Sequence, residues 1–412
     1  MITEYSELSK LISIQSCSYT DFCSRIAILD IGDTTGTFAV RSNLTTFLDR
    51  VVKKSTDTRK DNLNEYTKKM YDMLVVNGED CLKEWFNKYV ALREDFSWYM
   101  SLPAGSCYKN KVFVGSQNSK YGRLARNINF HDFYNTKKLY LNDSEYVLGL
   151  MKVMFENFHL RNSLASPAFF DMICKGIDYT KFWNFFMMGS NKASIFNPYT
   201  YKSILDELFT GEVLFAPVMG WNTYQQAFYN SQFNHFISTD VIPGVVDNGI
   251  WMHQNHNINK LVESNKTVDL YLCPSEKLDD RYNFIQKYEN KVDAVLFSPP
   301  YFDLEIYPGE EQSITSFPNY RDWLEGYWRE TVKLCKAVMK NEARFGFVIS
   351  DYRNHEKIDK TISSDMMLVA AEELNFLDRY SVKWNARAGS RQAHKTRDGN
   401  FETLWLYEKN DG

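Results

Sequence analysis

Hydrophobic positions along this chain change their period part-way. Before residue ~190 the apolar residues recur at helical spacing, as in "LNEYTKKMYDML" (Leu63, Tyr66, Met70, Met73 and Leu74 on one face) and "CLKEWFNKYVAL" (Leu82, Trp85, Phe86, Tyr89, Leu92). After it, short apolar runs succeed one another: "VLFAPV" (213–218), "HFISTD" (235–240), "VDLYLC" (268–273), "VDAVLF" (292–297), "RFGFVISD" (344–351), "RYSVKW" (379–384) and "ETLWLYE" (402–408). Most are separated by helical intervals, and "RDWLEGYWRETVKLCKAVMK" sets Leu324, Trp328, Val332, Cys335 and Met339 in a stripe suited to core packing. Strands alternating with helices imply right-handed crossovers and an α/β fold with a seven-stranded, doubly wound, mostly parallel sheet. The last two runs lack a helix between them and are expected to pair antiparallel. The small-polar stretch "MMGSNKAS" (187–194) marks the expected boundary between a mainly helical domain, residues 1–190, and the α/β domain, residues 191–412.

The fourth run ends abruptly, in "SPPY" (298–301). Two successive prolines forbid ladder donation and helix continuation, so the strand must stop there and leave the turn exposed. In a doubly wound sheet ligands bind at the carboxyl ends of the strands, beside the point where strand order reverses. The chemistry that suits such a turn is methylation of an exocyclic amino group on a base. That amine is a poor nucleophile because its lone pair is delocalised into the ring. A site must therefore accept its N–H hydrogen bonds as the methyl group arrives, and Ser298 Oγ and the Pro299 carbonyl, held rigid by Pro300, are the expected acceptors. Tyr301 would stack on the base for about 1–3 kcal/mol, offsetting part of the few kcal/mol that extruding a base from a duplex costs.

Composition narrows the alternatives. At 412 residues with a net charge of −4, the chain is an ordinary globular protein, and nothing in the whole molecule advertises a polyanionic partner. Nucleic-acid binding must be local. From Ser97 to His131 there is no acid, while Lys109, Lys111, Lys120, Arg123 and Arg126 fall in that span; "NARAGSRQAHKTRDGN" adds Arg387, Arg391, His394, Lys395 and Arg397. Both stretches read as loops, and a solvated surface is the bland alternative for each. Seven scattered cysteines without a CxxC pair indicate neither a disulfide framework nor a zinc site. The pair His253 and His256 in "HQNH" has no carboxylate at ligand spacing and reads as surface or helix-capping, so no metal is expected. No Pro-Cys is present for cytosine-C5 chemistry, and neither a P-loop nor an HExxH motif occurs. An acidic amino terminus and the lack of a spanning apolar run lead to the expectation of a cytoplasmic protein without a membrane partner.

"SPPYFDLEIY", with "EEQS" after it, resembles motif IV of the amino-methylating DNA methyltransferases, S-adenosylmethionine-dependent enzymes of bacteria and their phages with a role in restriction-modification. "SIFNPYTYKSILDEL" looks like the family's motif X, which implies that Phe196 and Pro198 lie against the cofactor's methionine end. "VLFAPVMGWNTYQQAF" takes the place of motif I (Pro217, Gly220, Trp221), "ISTD" is similar to motif II, and "LCPSEKL" to motif III. The resemblance implies a Rossmann-like methyltransferase over residues 194–409, with Asp240 on the ribose hydroxyls and Ser275 and Glu276 near the adenine. It also implies a DNA partner, and serine before PPY leans towards cytosine N4 over adenine N6.

Motif I departs from the family's usual Asp-Pro-x-x-Gly-x-Gly at Ala216 and Asn222. Losing an acid that pairs with the cofactor's ammonium removes roughly 1.5–3 kcal/mol, one to two decades of affinity. A DNA-binding protein on a decayed methyltransferase core is therefore the alternative, and an RNA or protein-glutamine substrate a second one.

Overall fold

The computed structural model describes residues 100–115, 121–129, 193–258, 266–307, 309, 311–353, 359–383 and 401–410. The helical segments read between 63 and 92, Lys120, and the loop carrying Arg387, Arg391, His394, Lys395 and Arg397 lie outside them. No helix among the described residues is long and apolar enough to cross a membrane.

One mixed sheet of nine strands organises the described residues. Its strands in sequence are β1 (Tyr108–Lys109), β2 (Val112–Val114), β3 (Val213–Ala216), β4 (His235–Asp240), β5 (Thr267–Leu272), β6 (Val292–Phe297), β7 (Met339–Ile349), β10 (Asn375–Lys383) and β11 (Phe401–Glu408). A separate small hairpin joins β8 (Tyr352–Arg353) to β9 (Asp359–Lys360). The spatial order is β1-β2-β10-β11-β7-β6-β3-β4-β5. All seven runs read from the sequence are strands of this sheet, and β10 and β11 do pair antiparallel.

Among the described residues the sheet has nine strands in place of the expected seven. "VFV" is too short to stand out as a run, and it lies in a span read as a basic loop. Residues 108–114 nevertheless form a hairpin, whose β2 adds parallel to β10 through Ser381↔Val112 and Lys383↔Val114. Phe113, 0% exposed, plugs this hairpin into the core, and Leu124 and Ile128 of α1 (Arg123–Ile128) are buried in the same core. The described residues between 100 and 129 thus share one sheet and core with the described residues from 193 onward.

Helices cover both faces, which is why the central strands are almost continuously apolar. In β6, Val292 and Ala294–Phe297 are 0–1% exposed. α2 (Pro198–Leu208) starts where the Asn197 side chain caps the Tyr199 amide at 2.9 Å and Pro198 takes the first helical position, both favoured choices at a helix start. α3 (Thr223–Tyr229) and α4 (Pro243–Ile258) come after β3 and β4, and α5 (Leu278–Tyr282) with α6 (Phe284–Tyr288) lead back to β6. α7 (Ser313–Ser316) and α8 (Tyr320–Trp323) run into a π-helical turn (Leu324–Arg329) and α9 (Glu330–Val338), and α10 (Ile362–Glu373) precedes β10. The helical stripe behaves as expected: Trp328, Val332 and Cys335 are fully buried, and the Trp328 indole donates to the Met366 carbonyl at 2.9 Å. Met339, the last residue of that stripe, instead opens β7.

On β4 and β5, away from the strand ends that carry the site, a polar cluster is centred on Asp269. A hydrogen bond with His235 at 3.1 Å, a second from the Tyr288 hydroxyl and the nearby Lys287 ammonium hold its carboxyl well below the ordinary carboxylate range, against the opposing effect of burial. A depressed folded-state pKa means that the unfolded chain binds the proton more readily. The stabilisation is therefore present above about pH 4 and is lost as pH falls through the folded value. Urea midpoints should drop between pH 5 and pH 3 in the parent protein, and Asp269→Asn should remove that part of the drop.

Candidate active site at the sheet's switch point

From β3 the chain moves outward through β4 to β5, then returns to the other side of β3 for β6 and β7. Strand order therefore reverses between β3 and β6, which pair in parallel through Leu214↔Ala294 and Phe215↔Val295. The segment after β3 carries Pro217, Gly220 and Trp221, and the segment after β6 carries SPPY. The topology alone places these two segments side by side.

Two tyrosines join them. Tyr201 of α2 and Tyr224 of α3 stack with ring centroids 4.3 Å apart at 15°. The Tyr201 hydroxyl donates to the Leu296 carbonyl at 2.6 Å, and the Tyr224 hydroxyl accepts the Ser298 amide at 3.0 Å. The last turn of β6 is thus fastened to α2 and α3, and Ser298 leaves the strand in a fixed direction. Burial pushes both phenols far above their ordinary range, so they stay neutral. Phe196 packs edge-on against both rings, at 6.1 and 6.4 Å, with Pro198 buried beside it at the start of α2.

The turn after β3 is unusual. Gly220, Trp221 and Asn222 have φ of 51°, 60° and 65°, three consecutive left-handed residues, two of which are not glycine. A Cβ on Gly220 would lie 2.4 Å from the Tyr224 ring, so only glycine fits there. Trp221 is 6% exposed, buried with Met219, Ile242 and Val245, and meets Tyr307 edge-on at 5.9 Å. The Asn222 side chain turns into the core, where its Nδ2 donates to the Val245 carbonyl at 3.0 Å. Pro217 and Ala216 are buried, and Ala216 offers no carboxylate.

Asp240 ends β4 with its carboxylate beside this turn, accepting the Met219 amide at 3.3 Å and the Ile242 amide at 3.1 Å. Ser275 faces the core and shares a hydrogen bond with Thr331 at 2.8 Å. Glu276 keeps one buried carboxylate oxygen without a hydrogen-bond partner among the described residues, and burial raises its pKa. Cys273, directly after β5, has its thiol pushed up to about 11 by burial, so it is no nucleophile at neutral pH.

Tyr301 is half-buried, and its hydroxyl is fixed at three points. It donates to Glu402 of β11 at 2.6 Å, accepts the Ser350 amide at 3.1 Å and lies 3.3 Å from the Ser350 hydroxyl, while Tyr352 packs edge-on at 5.7 Å. Burial foremost, then the Glu402 carboxylate, keeps this phenol protonated. Downstream, Gln312 of "EEQS" pins the loop after SPPY by bonding the Tyr307 amide at 2.7 Å and the Tyr307 and Gly309 carbonyls at 2.6 and 2.8 Å. Glu305, 4% exposed, accepts from the Ser194 amide and hydroxyl and so ties this loop to the segment leading into Phe196.

The structure therefore places Phe196, Gly220 and Ser298 against one Tyr201–Tyr224 stack, with Pro198 at the start of the helix that carries Tyr201. Tyr201, Tyr224, Glu305 and Glu402 escape a reading by motif; the tyrosines and Glu305 lie within segments that one picks out, and Glu402 does not. The basic residues distribute differently. Lys109 lies in β1, Lys111 pairs with Asp378 at 2.7 Å on an exposed surface, and Arg123 and Arg126 lie on α1. His253 on α4 shares a hydrogen bond with the Tyr229 hydroxyl at 2.9 Å. Among the described residues no group of three His, Cys, Asp or Glu side chains gathers at metal-ligand spacing.

No protein-family model and no curated protein matches the sequence. Solved structures do. One is TrmN from Thermus thermophilus, at 10% identity over 52% of this chain and 49% of that one, with a TM-score of 0.32. Another is a candidate DNA modification methylase, also from Thermus thermophilus, at 13% identity over 34% and 51%, with a TM-score of 0.24. A third is a Burkholderia thailandensis 1,6-didemethyltoxoflavin-N1-methyltransferase with bound S-adenosylhomocysteine, at 13% identity over 52% and 78%, with a TM-score of 0.32. This chain spans about half the length of the first two. With TM-scores this low, function is read from the site and not from these neighbours.

Proposed function

We propose that this protein is an S-adenosylmethionine-dependent methyltransferase with a Rossmann-like core, acting on the exocyclic amine of a base in DNA. One observation carries the reading: the Tyr224 hydroxyl fastens the SPPY turn to the helix that grows out of the Gly220 loop, across the sheet's switch point. When bound, S-adenosylmethionine supplies an electrophilic methyl group on a sulfonium centre. The residues present fit it at the nucleoside end, where Asp240 offers lone pairs to ribose hydroxyls and the Glu276 oxygen that lacks a partner among the described residues is a buried acceptor for an amino group. Phe196 and Pro198 wall the other end, where Ala216 leaves the ammonium without its usual acid.

The rest is the work of the turn. The Ser298 hydroxyl and the Pro299 carbonyl accept the target amine's N–H groups and draw its lone pair out of the ring; Pro299 and Pro300 keep that carbonyl from finding a ladder partner. Tyr301 presents its ring to the flipped base and cannot swing away, because its hydroxyl is held by Glu402 and Ser350. Nucleic acid is favoured over a glutamine side chain by the acid-free span from Ser97 to His131 and by the basic 385–398 segment, whose cationic side chains would contact phosphate.

Asp240→Asn tests the cofactor half. It keeps one acceptor oxygen but loses the charge, and hydrogen bonds to charged groups are worth about 1.5–3 kcal/mol. Calorimetric titration of S-adenosylhomocysteine should show a dissociation constant raised by roughly 10–100-fold; an unchanged constant would place the ribose elsewhere. Ala216 favours a second reading, DNA binding without catalysis. It predicts DNA affinity indifferent to cofactor and to Ser298→Ala.

A further inference from the structure

The departure from glycine at position 222 is built into the fold. Asn222 belongs to a chain of three buried asparagines on three different segments: Asn129 at the end of α1, Asn222 in the turn after β3, and Asn248 on α4, at 1%, 0% and 3% exposure. Asn129 Nδ2 lies 2.8 Å from Asn222 Oδ1, 3.1 Å from the Trp221 carbonyl and 3.0 Å from the Ala125 carbonyl, so its two hydrogens are shared among three acceptors. Its Oδ1 accepts from Asn248 Nδ2 at 3.0 Å, which also donates to the Ile128 carbonyl at 2.7 Å. Asn222 Nδ2 completes the chain on the Val245 carbonyl.

Left-handed geometry at a residue other than glycine persists where its surroundings over-determine it. Here they do so from a segment some ninety positions upstream. The Asn129 amide holds the two groups, the Trp221 carbonyl and the Asn222 side chain, that come directly after Gly220. Glycine at 222 would free the backbone but remove both the acceptor for Asn129 and the donor for Val245. Asn129 would keep the Ala125 and Trp221 carbonyls for its hydrogens, but the loop would lose its side-chain ties to both α1 and α4.

We propose that Asn129 is a positioning residue for the cofactor loop, and that Asn222 is its counterpart and not a sign of decay. The upstream segment 121–129 completes the loop, and the loop holds cofactor only when that segment is docked. The inference rests on the cofactor reading above and makes the opposite prediction from an obstructed site. If Asn222 obstructs, restoring the family's glycine improves binding; if it latches, glycine weakens it.

The test uses the full chain and Asn129→Ala, Asn222→Gly and their double variant, each titrated calorimetrically with S-adenosylhomocysteine after circular dichroism shows it folded. Each single substitution should raise the dissociation constant about tenfold, and the double should fall well short of the roughly hundredfold product, because both remove the shared Asn129–Asn222 contact. In turnover, KM for S-adenosylmethionine should rise while kcat stays within about twofold. Asn222→Gly binding as tightly as the parent or tighter, or single effects that multiply to about a hundredfold, would overturn the proposal. Asn222→Gly carries the test should Asn129→Ala not fold. If the parent itself takes up no S-adenosylhomocysteine, the cofactor reading fails, and the latch is judged by hydrogen exchange: faster exchange of amides 219–223 in Asn222→Gly sustains it, and unchanged exchange sinks it.

Discussion

Tyr301→Ala should lower methyl transfer to nucleic acid by at least about thirtyfold while S-adenosylhomocysteine binding changes by less than about twofold. Two losses combine. The ring's stacking on a flipped base is worth about 1–3 kcal/mol, and a further 1–3 kcal/mol or so comes from leaving buried Glu402 and the Ser350 amide without the hydroxyl they share. Tyr301→Phe separates the two, because it keeps the ring and removes only the hydroxyl, and it should fall between alanine and the parent. Glu402→Gln can still accept from the phenol and should retain more activity than Glu402→Ala. Single-turnover rates at saturating cofactor would check the series. Equal activity in Tyr301→Ala and the parent would show that the ring is core packing, with no part in holding the base.

Gly220→Ala should damage the fold and the candidate site together. The residue sits at φ 51°, where a Cβ would meet Tyr224 ring atoms at 2.4–2.8 Å. Left-handed geometry costs about 1–2 kcal/mol for a residue with a side chain, and overpacking a filled core typically adds about 1–3 kcal/mol. The displaced ring cannot yield without consequence: it stacks on Tyr201 and its hydroxyl holds the Ser298 amide. One substitution therefore strains the cofactor loop and loosens the methyl-acceptor turn together. The expected result is a thermal midpoint lowered by several degrees, with both cofactor binding and methyl transfer suppressed. Tyr224→Phe offers the control, since it spares the packing and frees only Ser298. It should lower methyl transfer while leaving cofactor affinity near that of the parent.

The same physics makes some of these features legible in the sequence and hides others. β3 and β6 are legible because both faces of each are covered, so nearly every position must be apolar and the run declares itself. SPPY is legible because consecutive prolines permit few local structures. β2 is not legible: three residues, of which Phe113 alone is fully buried, carry too little pattern, and their neighbours Lys109 and Lys111 disguise the hairpin as a basic loop. Lys111 shows the limit of counting charge, since its ammonium is engaged by Asp378 from a strand far along the chain. The tyrosine stack is hidden for another reason. Tyr201 and Tyr224 lie on separate helices, and nothing local in either says that both will reach the end of β6. Glu402 obeys the same rule, because an acid on an apolar last strand looks like a solvated position until the fold brings Tyr301 against it. Asn222 reads as damage when its motif is taken alone, and as a hydrogen-bonded joint once Asn129 and Asn248 are seen beside it.

The central claim is methyl transfer to a base amine in DNA, and the most direct measurement is incorporation of labelled methyl from S-adenosylmethionine into mixed genomic DNA, with RNA in a parallel reaction and Ser298→Ala as the control. The account predicts label in DNA that is absent with Ser298→Ala and that digests to N4-methylcytosine or N6-methyladenine. Label confined to RNA, or no label from a protein that binds DNA equally well with and without cofactor, would contradict it.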